Sequence, residues 1–401
     1  MQSSSTGLNI LVIAPQPFFQ NRGTPIAIRD LLEALSQTNH KITLLCLMEG
    51  EDIQLPKCVS LVRARYPGFL LNLRPGFSLK KALVGLYLLK EASELVQESN
   101  FDLVVGVEEA AIFCSIFLGD KVNLVVDMDS DIVDQMATSN KIWAALRPLL
   151  SYIYSIPFRK SLCAIAVSKS LAYKAVKYGA KQAYILEDCA DIIPDEIVES
   201  VDKAITSTQG DGEKIILYIG NLERYQGIHL LLEAFAKLIL AYKIRALLVI
   251  VGGTLPHISK YRKKALDLGV LDKCMFTGPK RAPELWRYLA SADCLVSPRL
   301  CGVNTPMKVY TYMASKKPIV ATKIESHTQV LSDHESYLSE VNPEDLAEKM
   351  YLALTAKDAK LKAQNAFQKF IENYSREKFK IKVNAIFQDI ESILLARKCR
   401  V

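Results

Sequence analysis

The 401-residue sequence lacks any apolar run approaching the roughly 18 residues that a membrane-crossing helix requires. Its nine cysteines are scattered, odd in number and without a Cys-x-x-Cys pair, which excludes an encoded disulfide framework or zinc cluster and fits a reducing, cytoplasmic setting. The opening MQSSSTG has no basic residue, and the apolar run behind it, LNILVIAP, is only strand length, so no signal peptide is expected. Histidine is absent between His40 and His229. What the chain has in quantity is apolar: half of its residues are hydrophobic against 23% charged, enough for two globular domains with separate cores.

Acids are missing from two long stretches. Residues 57–90 hold seven basic residues (Lys57, Arg63, Arg65, Arg74, Lys80, Lys81, Lys90), which equals the net charge of +7, and 135–186 hold eight more, so the remainder is acidic overall. Both stretches also carry apolar bulk, GFLLNLRPGFSLKKALVGLYLLK (68–90) and WAALRPLLSYIYSIPF (143–158). Such segments read either as a surface that dips into an anionic membrane interface or as amphipathic helices packed on a sheet. Nucleic acid is not expected as a partner, because no helix-turn-helix, RNA-recognition or zinc-finger pattern accompanies the charge.

Short β-branched runs alternate with helical stretches throughout. Strands are predicted at 9–15, 41–47, 59–64, 101–107, 123–129, 164–168 and 183–187, and a second series at 214–220, 246–253, 274–278, 293–298 and 318–322. Continuous apolar strands separated by helices imply an α/β architecture with parallel sheets covered on both faces. The acidic segment 187–214, ending in Gly-Asp-Gly, marks a boundary. The expected organisation is a doubly wound domain over 1–200, a second over 201–375, and a C-terminal helical segment 376–401 free to pack back on the first. The helical stretch itself is read from about 358 to 396. Two such domains put their ligand loops at the carboxyl ends of the strands, facing a cleft.

Those loops carry phosphate-type signals at equivalent places. QPFFQNRGTP follows the first strand, where Arg22, Gly23 and Thr24 lead into a helix. GNLERYQG opens the second series with Gly220, Asn221, Arg224, Gln226 and Gly227. CGVNTPMKVYTYMA (301–314) offers Gly302, Asn304, Thr305, Pro306 and Lys308 and no acid. With Asn304 or Thr305 as helix cap and Pro306 in the first turn, free backbone N–H groups would face an anion.

The order RGTP, GNLERYQGIHLLLEAF, FTGPKRAPELWRYLASADCLVSPR and GVNTPMKVYTYMASKKPIVAT resembles the family 4 glycosyltransferases of the GT-B fold, and within them a bacterial subgroup with an N-T-P-x-K-x-Y-x-Y signature. The resemblance covers nearly the whole chain and is strongest from about 214 to 330. It implies two Rossmann-like domains, a nucleotide-diphosphate sugar held mostly by the second and a glycan or lipid-linked acceptor held by the first. It also implies a hexosyltransferase-type transfer with retention at the anomeric carbon, without metal or other cofactor. A first domain resting on the inner face of a membrane, in cell-surface glycan or glycolipid synthesis, follows from the same likeness.

Several family positions are altered. Many members carry two glutamates separated by seven residues, one for the sugar and one for the ribose, and these positions are Val303 and Thr311 here. The family's Arg and Lys for the diphosphate fall at Asn221 and Gln226. Positive charge for the departing diphosphate is then expected from Lys308 and Arg299, with Arg281 and Arg224 behind them. Tyr310 or Tyr312 is expected beside the nucleotide, core packing being the alternative for each. In place of the family's histidine near the reacting sugar stands VVDMDSD, where Asp129, flanked by Asp127 and Asp131, would orient a sugar hydroxyl or the acceptor, or else cap the next helix. His327 is the histidine that could face the ligand.

These losses leave a non-catalytic binding subunit of the same fold as an alternative. The Asp-x-Asp run also resembles the nucleophile motif of haloacid-dehalogenase-type phosphatases and the metal clamp of the other large glycosyltransferase fold. The first would need a later paired-acid motif and the second a single dominant domain, and the sequence offers neither. A nucleotide-sugar epimerase on the same two-domain fold would need acidic and histidine residues that have no counterpart here.

Overall fold

The computed structural model describes residues 7–20, 23–71, 79–139, 141–191 and 212–398. Two compact units share the chain: unit 1 is Met1–Asp188 together with Phe379–Val401, and unit 2 is Cys189–Lys378. Most of the acidic segment 187–214 lies outside the described residues.

Unit 1 is built on strands β1 (Asn9–Pro17), β2 (Lys41–Leu47), β3 (Val59–Arg63), β4 (Leu103–Val107), β5 (Leu124–Met128), β6 (Cys163–Ala166) and β7 (Ala183–Ile185). They form a parallel sheet in the order β3-β2-β1-β4-β5-β6-β7, with Ile10 in register with both Ile42 and Leu103. The central strands are buried on both faces, which is why they read as unbroken apolar runs. Helix α1 (Gly23–Leu35) buries Ile28, Leu31, Leu32 and Leu35, one stripe at helical spacing. The other helices are α2 (Leu79–Glu98), α3 (Ala110–Phe113), α4 (Ile132–Ser139), α5 (Lys141–Ala145), α6 (Arg147–Lys160) and α7 (Lys169–Lys177).

Unit 2 repeats the plan with β8 (Lys214–Ile219), β9 (Ala246–Val251), β10 (Cys274–Gly278), β11 (Cys294–Ser297), β12 (Ile319–Thr322) and β13 (Tyr337–Ser339), in the order β10-β9-β8-β11-β12-β13. Its helices are α8 (Ile228–Ala241), α9 (Leu255–Asp267), α10 (Ala282–Ser291), α11 (Met307–Ala314), α12 (Glu325–Thr328), α13 (Pro343–Thr355) and α14 (Ala359–Asn373). Strand order reverses between β1 and β4 in unit 1 and between β8 and β11 in unit 2. In such sheets the crevice beyond the carboxyl ends of those strands receives ligands.

Two expectations are corrected. The helical stretch expected from about 358 to 396 is broken at Tyr374 and Ser375, and the last helix, α15 (Arg376–Lys398), passes into unit 1 from Phe379 onward. There it buries Val383, Phe387 and Ile390, sets Phe387 6.1 Å from the His40 ring, and pairs Lys382 with Glu187 at 2.7 Å. The acid-free reading of 135–186 holds along the chain but not in space: Arg147 pairs with Asp134, and Lys174 with Asp131 and Asp134.

Candidate functional site

At the strand-order reversal of unit 2, the loops after β8 and β11 are fastened together. The Leu300 N–H donates to the Tyr225 carbonyl at 2.8 Å. Gly227 adopts φ +74°, and a Cβ there would lie 1.8 Å from the Pro298 carbonyl oxygen. A side chain at Gly220 would meet both Lys308 Nζ and the Tyr218 hydroxyl at 2.9 Å. Small residues at these two places let the loops close over one lysine.

Lys308, in the first turn of α11, donates from Nζ to Gln226 Oε1 at 2.9 Å and stands 4.1 Å from the centroid of the Tyr218 ring. Burial, and then the like charge of Arg299, hold its ammonium well below the usual lysine range. The Arg299 guanidinium donates to the carbonyls of Cys301 (2.8 Å) and Asn304 (3.2 Å) and to Asn304 Oδ1 (3.3 Å), lies beside Gly302, and stacks over Tyr225 with 5.3 Å to the ring centroid. Burial lowers its pKa as well. Among the described residues neither cation forms an ion pair with a carboxylate. Two half-buried basic groups side by side without a counter-ion disfavour each other's charge, and an anion at this place removes that cost.

The helix cap differs from expectation. Helix α11 begins at Met307 with Pro306 as its N-cap and no side-chain cap bond. Asn304 is turned to Arg299 instead, because a loop carbonyl and amide beside a guanidinium satisfy its donors better than they cap a helix two residues away. The Thr305 hydroxyl is buried and has no partner among the described residues. Tyr312 is also corrected: it is fully buried, accepting the Ile219 N–H at 2.9 Å and lying 3.4 Å from the Val296 carbonyl, so it braces β8 and β11 from inside. Tyr310 packs on Tyr374 at 5.0 Å between ring centroids, again in the core. His327 is buried too, bonded to Ser297 and Thr322, with burial lowering its pKa to about 4.

The remaining unit 2 candidates are exposed. Asn221 is exposed, and its carbonyl accepts from the Tyr218 hydroxyl at 2.6 Å. Arg224 is exposed in a short turn, Arg224–Gln226. Arg281 is exposed as the N-cap of α10, where the Glu284 carboxylate accepts its N–H at 3.0 Å. Neither arginine has a hydrogen bond to Arg299 or Lys308 among the described residues.

Unit 1 has the opposite character. At the carboxyl ends of β4 and β5 and just after β7 stand Glu108, Asp127, Asp129 and Asp188. Burial, and then the charge of Asp129, push the carboxyls of Glu108, Asp127 and Asp188 well above the usual range. Asp129 itself is raised by burial to about 6, with a hydrogen bond from Thr24 opposing the rise. Glu108 holds a left-handed backbone at φ +52° and takes the Ser130 hydroxyl at 3.0 Å. Gly23 opens α1 beside Thr24, while Arg22 lies outside the described residues. The helix-cap alternative raised for Asp129 belongs to Asp131, whose carboxylate accepts the Asp134 N–H at 3.1 Å.

Glu108, Asp188 and Tyr218 were not anticipated as site residues. The first two each end or follow a predicted strand, a signal that was available. Tyr218 sits inside an apolar strand and carries none.

Residues 202–373 match the family model described as glycosyl transferases group 1. That match spans both loops that hold Lys308 and Arg299. No curated protein matches the chain in sequence. Solved structures match at the level of fold, and the architecture is that of GT-B glycosyltransferases. Sucrose-phosphate synthase from Thermosynechococcus elongatus superposes with a TM-score of 0.79 at 15% identity, covering 96% of this chain and 99% of that one. Anabaena HepE, solved in complex with UDP-glucose, gives 0.73 at 14% identity, over 95% and 100%. WaaG, a glycosyltransferase involved in lipopolysaccharide biosynthesis, gives 0.70 at 15% identity, over 94% and 99%.

Proposed function

We propose that the protein is a retaining glycosyltransferase that moves a hexosyl group from a nucleotide-diphosphate sugar to an acceptor in cell-surface glycan or glycolipid synthesis. The observation that carries this reading is the pair Arg299 and Lys308, half-buried and, among the described residues, without carboxylate partners at the strand-order reversal of unit 2. Transfer leaves a diphosphate, and preorganised cations in a dry site stabilise that charge as it develops. The two side chains take that task without a metal. Gly220, Gly227, Gly302 and Pro306 shape the walls, and the open N–H groups of α11 and the Thr305 hydroxyl add donors to the donor seat. In unit 1, Asp129 with Thr24 orients the acceptor hydroxyl.

The acceptor side rests on an anionic membrane face. In unit 1, α2 exposes Leu83 and Leu86, the turn Cys114–Leu118 exposes Ile116 and Phe117, α5 exposes Ile142, and α6 exposes Leu149 and Tyr152. Lys141 and Arg159 stand on the same helices, the latter over the Tyr152 ring. Such a rim favours interfacial contact. Among the described residues no helix is long and apolar enough to cross a membrane.

A thermal-shift screen against UDP-, GDP-, ADP- and CDP-sugars without metal, repeated with Lys308→Ala, tests the donor seat. A selective rise in Tm that the variant loses supports the reading and names the nucleotide. No rise with any donor at millimolar concentration overturns it. A rise without turnover leaves the binding-subunit reading, which the absence of carboxylates at Val303 and Thr311 favours.

A further inference from the structure

Gln226 is the unusual partner in the unit 2 seat. It is buried, it comes from the loop after β8 rather than from α11, and its Oε1 is the acceptor to which the Lys308 ammonium donates at 2.9 Å. The same oxygen lies 3.4 Å from the Tyr218 hydroxyl, which donates at 2.6 Å to the Asn221 carbonyl. The ammonium is thus boxed by an amide oxygen, an aromatic face and the Gly220 backbone, all of them uncharged.

We propose that Gln226 is a positioning residue that fixes the Lys308 side-chain nitrogen without supplying a counter-charge, so that its positive charge is left for the diphosphate to pair with. The inference rests on the donor-seat reading above. A carboxylate at 226 would hold the lysine equally well in space, but it would complete an ion pair and leave no charge to bind an anion. An amide is the near-isosteric side chain that offers the acceptor and withholds the charge.

The test uses the full chain and calorimetric titration with inorganic pyrophosphate, which is independent of the base, and with UDP, ADP, GDP and CDP. Gln226→Glu is expected to weaken pyrophosphate and nucleotide binding by about 10- to 100-fold while Tm is unchanged or rises, a combination that a merely structural role would not give. Lys308→Gln alone is expected to lose a similar factor. The exchange Gln226→Lys with Lys308→Gln is expected to recover most of it, because the charge and its acceptor only trade backbones. Binding by Gln226→Glu equal to the unsubstituted protein overturns the proposal and leaves the donor seat standing. A protein that binds neither pyrophosphate nor any of the four nucleotides overturns the donor seat, and the proposal with it.

Discussion

Unit 1 and unit 2 share the order of their first six strands and differ in the sign of the charge gathered at the carboxyl ends of those strands. Beyond β4, β5 and β7 unit 1 gathers Glu108, Asp127, Asp129 and Asp188, whereas beyond β8 and β11 unit 2 gathers Arg299 and Lys308 with no carboxylate partner among the described residues. The sheets therefore decide where a ligand sits and not which ligand it is. Their supports differ too. The acids sit on or next to strand ends, and the cations on a loop and a helix start that depend on glycine contacts.

The contrast can be broken most severely at Gly227. Gly227→Ala places a Cβ 1.8 Å from the Pro298 carbonyl at a φ of +74°, and it is expected to destabilise unit 2 by about 3 kcal/mol or more while leaving unit 1 folded. In calorimetry a unit 2 transition moved to lower temperature than in the parent, with the unit 1 transition in place, would register this. Lys308→Ala removes a cation and, in the loop after β8, only its contact with the Gln226 amide oxygen. It is expected to lower donor affinity by about 100-fold by titration, given about 1.5–3 kcal/mol for a charge-assisted bond.

Asp129→Asn sharpens the acidic side, with about a tenfold loss of transfer and loss of the rise in rate as pH passes about 6. The sign for stability runs the other way. Asp129 keeps its proton in the folded state up to about 6, whereas the unfolded chain releases it near 3.8, so stability present at low pH is lost as pH rises through that window. Denaturant titrations at pH 4 and pH 7 should show a smaller difference in the Asn variant. Lys308, lowered rather than raised, contributes the opposite slope: unit 2 gains stability as pH climbs toward 10.5, where the unfolded lysine also loses its proton. The smallest expected effect is at the exposed rim. Phe117→Ser with Tyr152→Ser should weaken partition onto anionic vesicles by several-fold and leave donor binding unchanged.

Much of this architecture is legible from periodicity alone. Buried parallel strands such as Leu103–Val107 and Ala246–Val251 appear as uninterrupted apolar runs, and the Gly-bearing loops follow them at the right places. Tyr337–Ser339 is too short to carry a period and its pairing with β12 is decided only in three dimensions. At the site, Lys308 and Arg299 are found by the lack of acid around them, a feature of the chain itself. Their link to Gln226 and Asn304 is not, because it depends on loops 82 residues apart for the first and on a loop that turns back on itself for the second. Tyr312 and His327 show the converse: polar residues in a promising stretch whose hydroxyl and ring nitrogens are consumed by the core.

Helix α15 has a consequence for how the chain is made. Phe387, Ile390 and Val383 complete the core of unit 1, yet they are encoded after every residue of unit 2. During synthesis the first unit to leave the ribosome waits for its last layer until the whole of the second has emerged, with the apolar face that receives Phe387 open to solvent for that interval. A ribosome pausing within the unit 2 coding region would lengthen that exposure, so yield in the cell should depend on translation speed across a segment that contributes nothing to the exposed face.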